Sequence, residues 1–168
     1  MMKSSEKKQR VFLEDSIDRE VGQNIMIRIG TIDEMEQDSG EKWMIVRSPK
    51  EIPVDAKHVP ALSPSLELFQ VYKEARKKGI WDEDFFQKVY VSWFLADLRA
   101  NQETLDLLDY LCRAGKTRDF YLCCYCTKEC ECICHRSIIA GVLQGRGALV
   151  IGSEYRKYSK MLKKLENE

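Results

Sequence analysis

The run Phe120-Tyr121-Leu122-Cys123-Cys124 carries five apolar residues in succession and offers no polar face. A strand of this kind is at rest only in a sheet covered on both sides, since a half-exposed strand alternates apolar with polar residues. After a cysteine-laden loop, residues 136–144 read as a helix with Ile138, Ile139, Val142 and Leu143 inward and Gly145 just beyond its end. Residues 148–151 (ALVI) form a second apolar run, predicted as a second buried strand. Ser153 then caps a last helix bearing Tyr155, Tyr158, Met161, Leu162 and Leu165. Strand, helix, strand and helix joined by short links predict a three-layer α/β domain with a parallel or mostly parallel sheet.

Upstream of that unit, residues 1–24 are polar and charged apart from Val11-Phe12-Leu13, and residues 25–168 form the single α/β domain. Two β-like runs, residues 25–29 and 43–46, flank the acidic stretch DEMEQDSGE (33–41), which reads as a solvated, turn-rich loop. Pro49, Pro53 and Pro60 mark an irregular connection. Ser63-Pro64 reads as an N-cap with Pro at the first helical position, followed by Leu66, Phe69 and Tyr72 at helical spacing and stopped by Gly79. Asp82 caps a second helix whose apolar stripe holds Phe86, Val89, Tyr90, Trp93 and Phe94, read as core and not as an aromatic ligand cage. Asn101 caps a third through Leu105, Leu108 and Leu111, closed by Gly115.

At 168 residues the chain has a single-domain length. Lys plus Arg balances Asp plus Glu at 27 each, which removes the simplest electrostatic case for nucleic-acid binding. A hydrophobic share of 44% excludes overall disorder. No run approaches the ~18 apolar residues of a membrane span. The charged start has no apolar core of an export signal, so a cytoplasmic, reducing compartment is expected.

Six of the seven cysteines fall between Cys123 and Cys134, and in a reducing compartment a disulfide scaffold explains them poorly. The loop containing them leaves the carboxyl end of a strand and feeds a helix, the edge where open α/β sheets place ligand sites. Metal binding is the leading chemistry. Cys124-x-Cys126 and Cys130-x-Cys132-x-Cys134 present soft thiolates to one ion, and His135 can replace one of them. Zinc or iron suits such donors. A second chemistry makes Cys134, beside His135 and Arg136, an activated nucleophilic thiolate with Arg136 binding an anion. The five-residue interval between Cys130 and Arg136 matches a phosphatase loop, but Glu131 inside it opposes phosphate. Cys112 reads as a small buried hydrophobe, and Cys123 points to the opposite sheet face from Cys124. His58 reads as structural.

The motifs together resemble the domain of unknown function 488 family. Its strand, short loop and Cys-His-Arg helix opening correspond to Cys124-Tyr125-Cys126 and Cys134-His135-Arg136. Ile45-Val46-Arg47-Ser48-Pro49, Ala61-Leu62-Ser63-Pro64-Ser65 and Phe86-x-x-x-Tyr90 are similar to further elements, so the match runs over residues 43–143. The resemblance implies a small Rossmann-like α/β domain without supplying a reaction. Where the family usually carries Glu, this chain has Cys126, and Cys130 and Cys132 are additional. That change shifts the site from mixed donors towards thiolates and a soft metal.

The sequence therefore predicts a metal-binding protein with Cys124, Cys126, Cys130, Cys132, Cys134 and His135 as candidate ligands. Cys134 and Arg136 are the candidate catalytic residues, and Arg47 joins Arg136 as an anion-facing group. Three ligands and an open position imply a small hydrolase or lyase acting on an anionic metabolite or nucleotide; four imply a structural site in an interaction module. A nucleic-acid partner finds its best support in Arg156, Lys157, Lys160, Lys163 and Lys164, which a solvated helix face explains equally well.

Overall fold

The computed structural model describes residues 25–126, 133–152 and 154–160. Four parallel strands, β1 (Ile27–Thr31), β2 (Glu41–Met44), β3 (Ala56–His58) and β4 (Phe120–Cys124), form one sheet in the order β1-β4-β2-β3. The five-residue apolar run is the central strand β4, buried at every position as its composition requires. The helices are α1 (Leu66–Lys77), α2 (Glu83–Phe85), α3 (Val91–Ala100), α4 (Gln102–Ala114) and α5 (His135–Gly145).

Strand alternation sorts the core into two unequal halves. Ile27, Trp43, Phe120 and Leu122 join the large apolar cluster shared with the helices, including Phe86, Phe94, Leu108, Leu111, Ile138 and Leu143. Met44, Tyr121 and Cys123 join a smaller cluster with Met35. The cover over this second half comes from a 3-10 helix, Ile32–Gln37, where a solvated loop was expected. The Thr31 hydroxyl accepts from the Glu34 amide at 3.3 Å and starts the helix, and Met35, its one deeply apolar side chain, turns inward. Arg28 then pins the exit through two bonds to Asp38, at 2.6 and 2.8 Å.

Several boundaries differ from the sequence reading. The cap of α1 is Ser65, whose hydroxyl accepts from the Leu68 amide, whereas Ser63 closes a short 3-10 turn over Pro60–Leu62. Leu66 accordingly points outward at 58% exposure, and Leu68 and Ala75 carry the buried face. Gly79 does end the helix, at φ +70, where a side chain is strained. The proline-rich connection contains the short edge strand β3. His58 there is structural, its Nε2 lying 2.8 Å from the Val46 carbonyl. Asp82 and Asn101 cap α2 and α4 as expected.

Between α2 and α3 the backbone passes through a π-helical turn, Phe86–Tyr90. Phe86, Tyr90 and Phe94 stack in series at 5.3 and 6.0 Å, the core stripe read from sequence, while Trp93 remains partly exposed. Residues 148–151 do not form the predicted buried strand: Val150 alone bridges to Ile27 at the sheet edge, and Leu149 and Ile151 on either side are 58% and 55% exposed. With one partner strand and no strand beyond it among the described residues, the alternation turns both neighbours to solvent.

The described part of the last helix is 3-10, Glu154–Tyr158, with Tyr155 and Tyr158 buried against α5. Gly141 permits that approach, since a Cβ there would sit 2.3 Å from the Tyr155 carbonyl. The N-terminal segment 1–24, Cys130, Cys132, the Ser153 cap, Met161, Leu162, Lys163, Lys164 and Leu165 lie outside the described residues. Among the described residues no helix is long and apolar enough to cross a membrane.

Candidate metal centre

Two backbone features converge at the carboxyl edge of the sheet. β4 ends at Cys124, and Cys126 follows two residues later. Cys134 then occupies the N-cap of α5 in extended conformation, with its side chain not bonded to the helix amides. The thiol is therefore free to face β4, and the Cys124 and Cys134 sulfurs lie 3.4 Å apart. The Cys126 sulfur completes a trio whose atoms all lie within 4.8 Å of one another. A tetrahedral zinc with bonds of about 2.3 Å holds its sulfurs about 3.8 Å apart, so the trio fits a soft ion with small adjustments. Cys123 faces the other way as expected, its thiol 3.7 Å from the Met35 sulfur and pushed up to about 12 by burial.

Arg136 organises the charge. Fully buried at the start of α5, its Nη1 donates to the Cys124 sulfur at 3.3 Å, to the Gly30 carbonyl at 3.1 Å and to the Cys126 carbonyl at 2.8 Å. Hydrogen bonds from the Cys126 and Cys134 thiols lower the Cys124 pKa well below the thiol range, with Arg136 assisting. The counterpart is that Cys126 is raised to about 12 by its bond to Cys124, and Cys134 is raised by burial first. Negative charge in the trio is thus favoured on Cys124, beside the buried Arg136 guanidinium.

His135 sits beside the trio. Its Nε2 lies 2.6 Å from the Ile45 carbonyl, which can only accept, so this nitrogen carries the proton. Burial lowers its pKa and keeps the ring neutral. Nδ1 is the lone-pair nitrogen, 3.6 Å from the Cys134 sulfur. The structure thus gathers Cys124, Cys126 and Cys134, with His135 on their flank and Arg136 behind them.

A cavity of about 460 Å³ opens beside the sulfurs, which share its wall with His135 and Arg47. Arg47 is anchored through Nε to the Pro64 carbonyl at 2.9 Å. Arg136, by contrast, does not reach this wall. The lining also includes four aromatic side chains: Phe69 and Tyr72 of α1, Trp81, and Tyr90 of the π-helical turn. Tyr90 is thus both core and cavity wall, which the amphipathic stripe alone did not separate. Arg76 also lines the cavity and was not singled out in the sequence. Its signal was the i, i+4 spacing from Tyr72, which puts both on one helix face; nothing local reveals that this face overlooks the cysteines.

No curated protein and no solved structure matches the chain. A family model described as the "Active DUF488-N3 subclade" matches residues 25–147, which takes in β1 and all of α5 beyond the range read from the motifs. With the thiol trio, Arg136 and the cavity all drawn from or set against that span, the chain belongs to the DUF488 family.

Proposed function

We propose that this protein is a metalloprotein, holding one zinc ion on Cys124, Cys126 and Cys134 and acting on a small anionic molecule bound in the adjoining cavity. The observation that carries the reading is the position of the trio: three sulfurs within 4.8 Å of one another, on the wall of a cavity of about 460 Å³. Thiolates are soft donors that suit zinc, and iron is the other candidate. A zinc ion held there with one position open would supply Lewis-acid chemistry and lower the pKa of a water ligand.

The chain's own residues do the rest. Arg136 offsets part of the thiolate charge, so the site need not carry three uncompensated negative charges in a buried setting. Arg47 and Arg76 attract the anion. Among the described residues neither has a carboxylate partner, and no carboxylate lines the cavity. A cytoplasmic compartment is consistent with cysteines that are free among the described residues.

Elemental mass spectrometry on protein purified without oxygen tests the reading. About one zinc per chain is expected, lost in Cys124→Ser and Cys134→Ser; metal-free wild-type protein overturns it. The second reading, a closed structural site in an interaction module, needs a fourth ligand; the remaining candidate thiols, Cys130 and Cys132, lie outside the described residues. Cobalt substitution separates the two, because a fourth thiolate intensifies the charge-transfer bands that an oxygen ligand leaves weaker.

A further inference from the structure

We infer that the cavity takes a nucleoside 5′-monophosphate, its heterocycle among Tyr72, Trp81 and Tyr90 and its phosphate on Arg47 and Arg76. The inference rests on the proposed function for the ligand's place beside the sulfurs and deepens it by naming the ligand's chemistry.

The ring site is assembled from three separate elements, which a helix stripe that merely packs the core does not require. Tyr72 meets Trp81 edge to face at 4.7 Å, and Trp81 meets Tyr90 at 5.3 Å, also near a right angle. Tyr90 is itself stacked between Phe86 and Phe94, so the ring surface left to a flat guest is that of the half-buried Tyr72 and Trp81, set at right angles to each other. Base-to-aromatic contacts of this kind hold any heterocycle without reading its identity.

Charge then selects the appendage. Arg47 and Arg76 both line the cavity and neither has a carboxylate partner among the described residues; Arg76 Nη1 lies 3.5 Å from the Tyr72 hydroxyl. A phosphate monoester approaches two negative charges at neutral pH, whereas an aromatic carboxylate carries one. Guanidinium also matches phosphate geometry in a planar fork. The anchor on Pro64 occupies a single one of Arg47's five donors. A triphosphate carries more charge than these two groups balance. The volume falls within the roughly 300–1,000 Å³ of sites for small molecules.

Calorimetric titration of the full chain with AMP, GMP, CMP and UMP, and with their nucleosides and inorganic phosphate, tests the assignment. At least one monophosphate is expected to bind ten-fold or more tightly than both its nucleoside and phosphate. Arg76→Gln, at an exposed position, removes that advantage while nucleoside binding persists; Trp81→Leu weakens nucleoside and nucleotide alike. A 5′-phosphorylated tetranucleotide that competes equally assigns the same chemistry to a strand end, and one that fails to compete assigns it to the free mononucleotide. Nucleosides binding as tightly as nucleotides, or no nucleotide binding at millimolar concentration, overturns the inference. Protein that holds zinc yet ignores nucleotides defeats this inference alone, and protein that binds nucleotides without metal defeats the metal reading alone.

Discussion

The Cys124 and Cys134 sulfurs stand 3.4 Å apart across ten residues of chain, one at the end of the central strand and the other at the cap of the helix that follows. Phe120 and Leu122 of β4 and Ile138, Ile139 and Leu143 of α5 share the large apolar cluster, which holds the strand end and the helix start together. A metal held by this pair and Cys126 would therefore clamp β4 to α5 and stabilise the folded state by linkage. Free metal at 100 times its dissociation constant contributes about 2.7 kcal/mol. A strong chelator is expected to lower the Tm of the wild-type protein and to leave that of Cys134→Ser unchanged. Equal shifts in the two proteins would place the metal elsewhere.

Arg136 is expected to be among the most sensitive positions in the chain. Arg136→Met leaves the Gly30 and Cys126 carbonyls without this donor and the Cys124 sulfur without its nearest positive charge. Breaking a buried charge pair typically costs about 3–5 kcal/mol. Denaturant unfolding with unchanged slope should show a loss of that order. A loss under about 1 kcal/mol would mean that the guanidinium is not holding these groups together.

Acid stability turns on Asp38. Its pKa is lowered chiefly by the hydrogen bond from Arg28, with the Gly40 amide adding to the effect and burial opposing it. The folded-state pKa lies below the unfolded value, so the contribution is present in full above the unfolded carboxylate range, near pH 4. It is lost as pH falls through the folded pKa. Asp38→Asn is expected to lower stability at pH 7 by on the order of 1 kcal/mol and to flatten the acid limb of the stability curve. Parallel curves for the two proteins between pH 2 and 7 would remove the pair from acid unfolding.

Gly141→Ala probes the contact that seats the last described segment. The added methyl meets the Tyr155 carbonyl at 2.3 Å and the Tyr158 Cβ at 2.6 Å, and backbone cannot yield as a flexible side-chain end can. Overpacking of this kind costs about 1–3 kcal/mol. Release of Tyr155 and Tyr158 from α5 should appear as faster hydrogen exchange in residues 154–160, with the exchange of β4 little changed.

The parts of this fold that were legible are those whose residues report on their own surroundings. An unbroken apolar run can only be a covered strand, and β4 is one. Asp82 and Asn101 capped because each precedes an amphipathic stretch at the right spacing. Ser63 and Ser65 are equally good caps, and the choice between them was made by Pro60, which starts a turn that ends at Ser63. Met35 sat in an acidic stretch whose composition masked the single residue that packs. The cysteine cluster announced a site, but Arg136 looked anion-facing from its position beside Cys134. Only the register of β1 against β4, which puts Gly30 next to Cys123, shows that its side chain is taken up by the Gly30 carbonyl and the trio. Arg76 of α1 and Trp81, in the link that follows that helix, line the same cavity as cysteines far along the chain, a juxtaposition carried by no local pattern.

Cys123 and Cys124 are chemically identical neighbours, and the pleat of β4 assigns them opposite duties. Cys123 is buried against Met35 with its thiol also directed to the Trp43 carbonyl at 3.6 Å, and burial keeps it protonated. Cys123→Ser exchanges a weakly polar group for a hydroxyl in that apolar pocket, at a cost of about 1–3 kcal/mol. It should nevertheless retain the full metal content. Cys124→Ser should lose the metal, because the serine oxygen is a harder and far less acidic donor than the thiolate it replaces. The pair is read by measuring Tm and metal stoichiometry on both variants. Metal loss in Cys123→Ser with retention in Cys124→Ser would invert the strand's facing and with it the proposed centre.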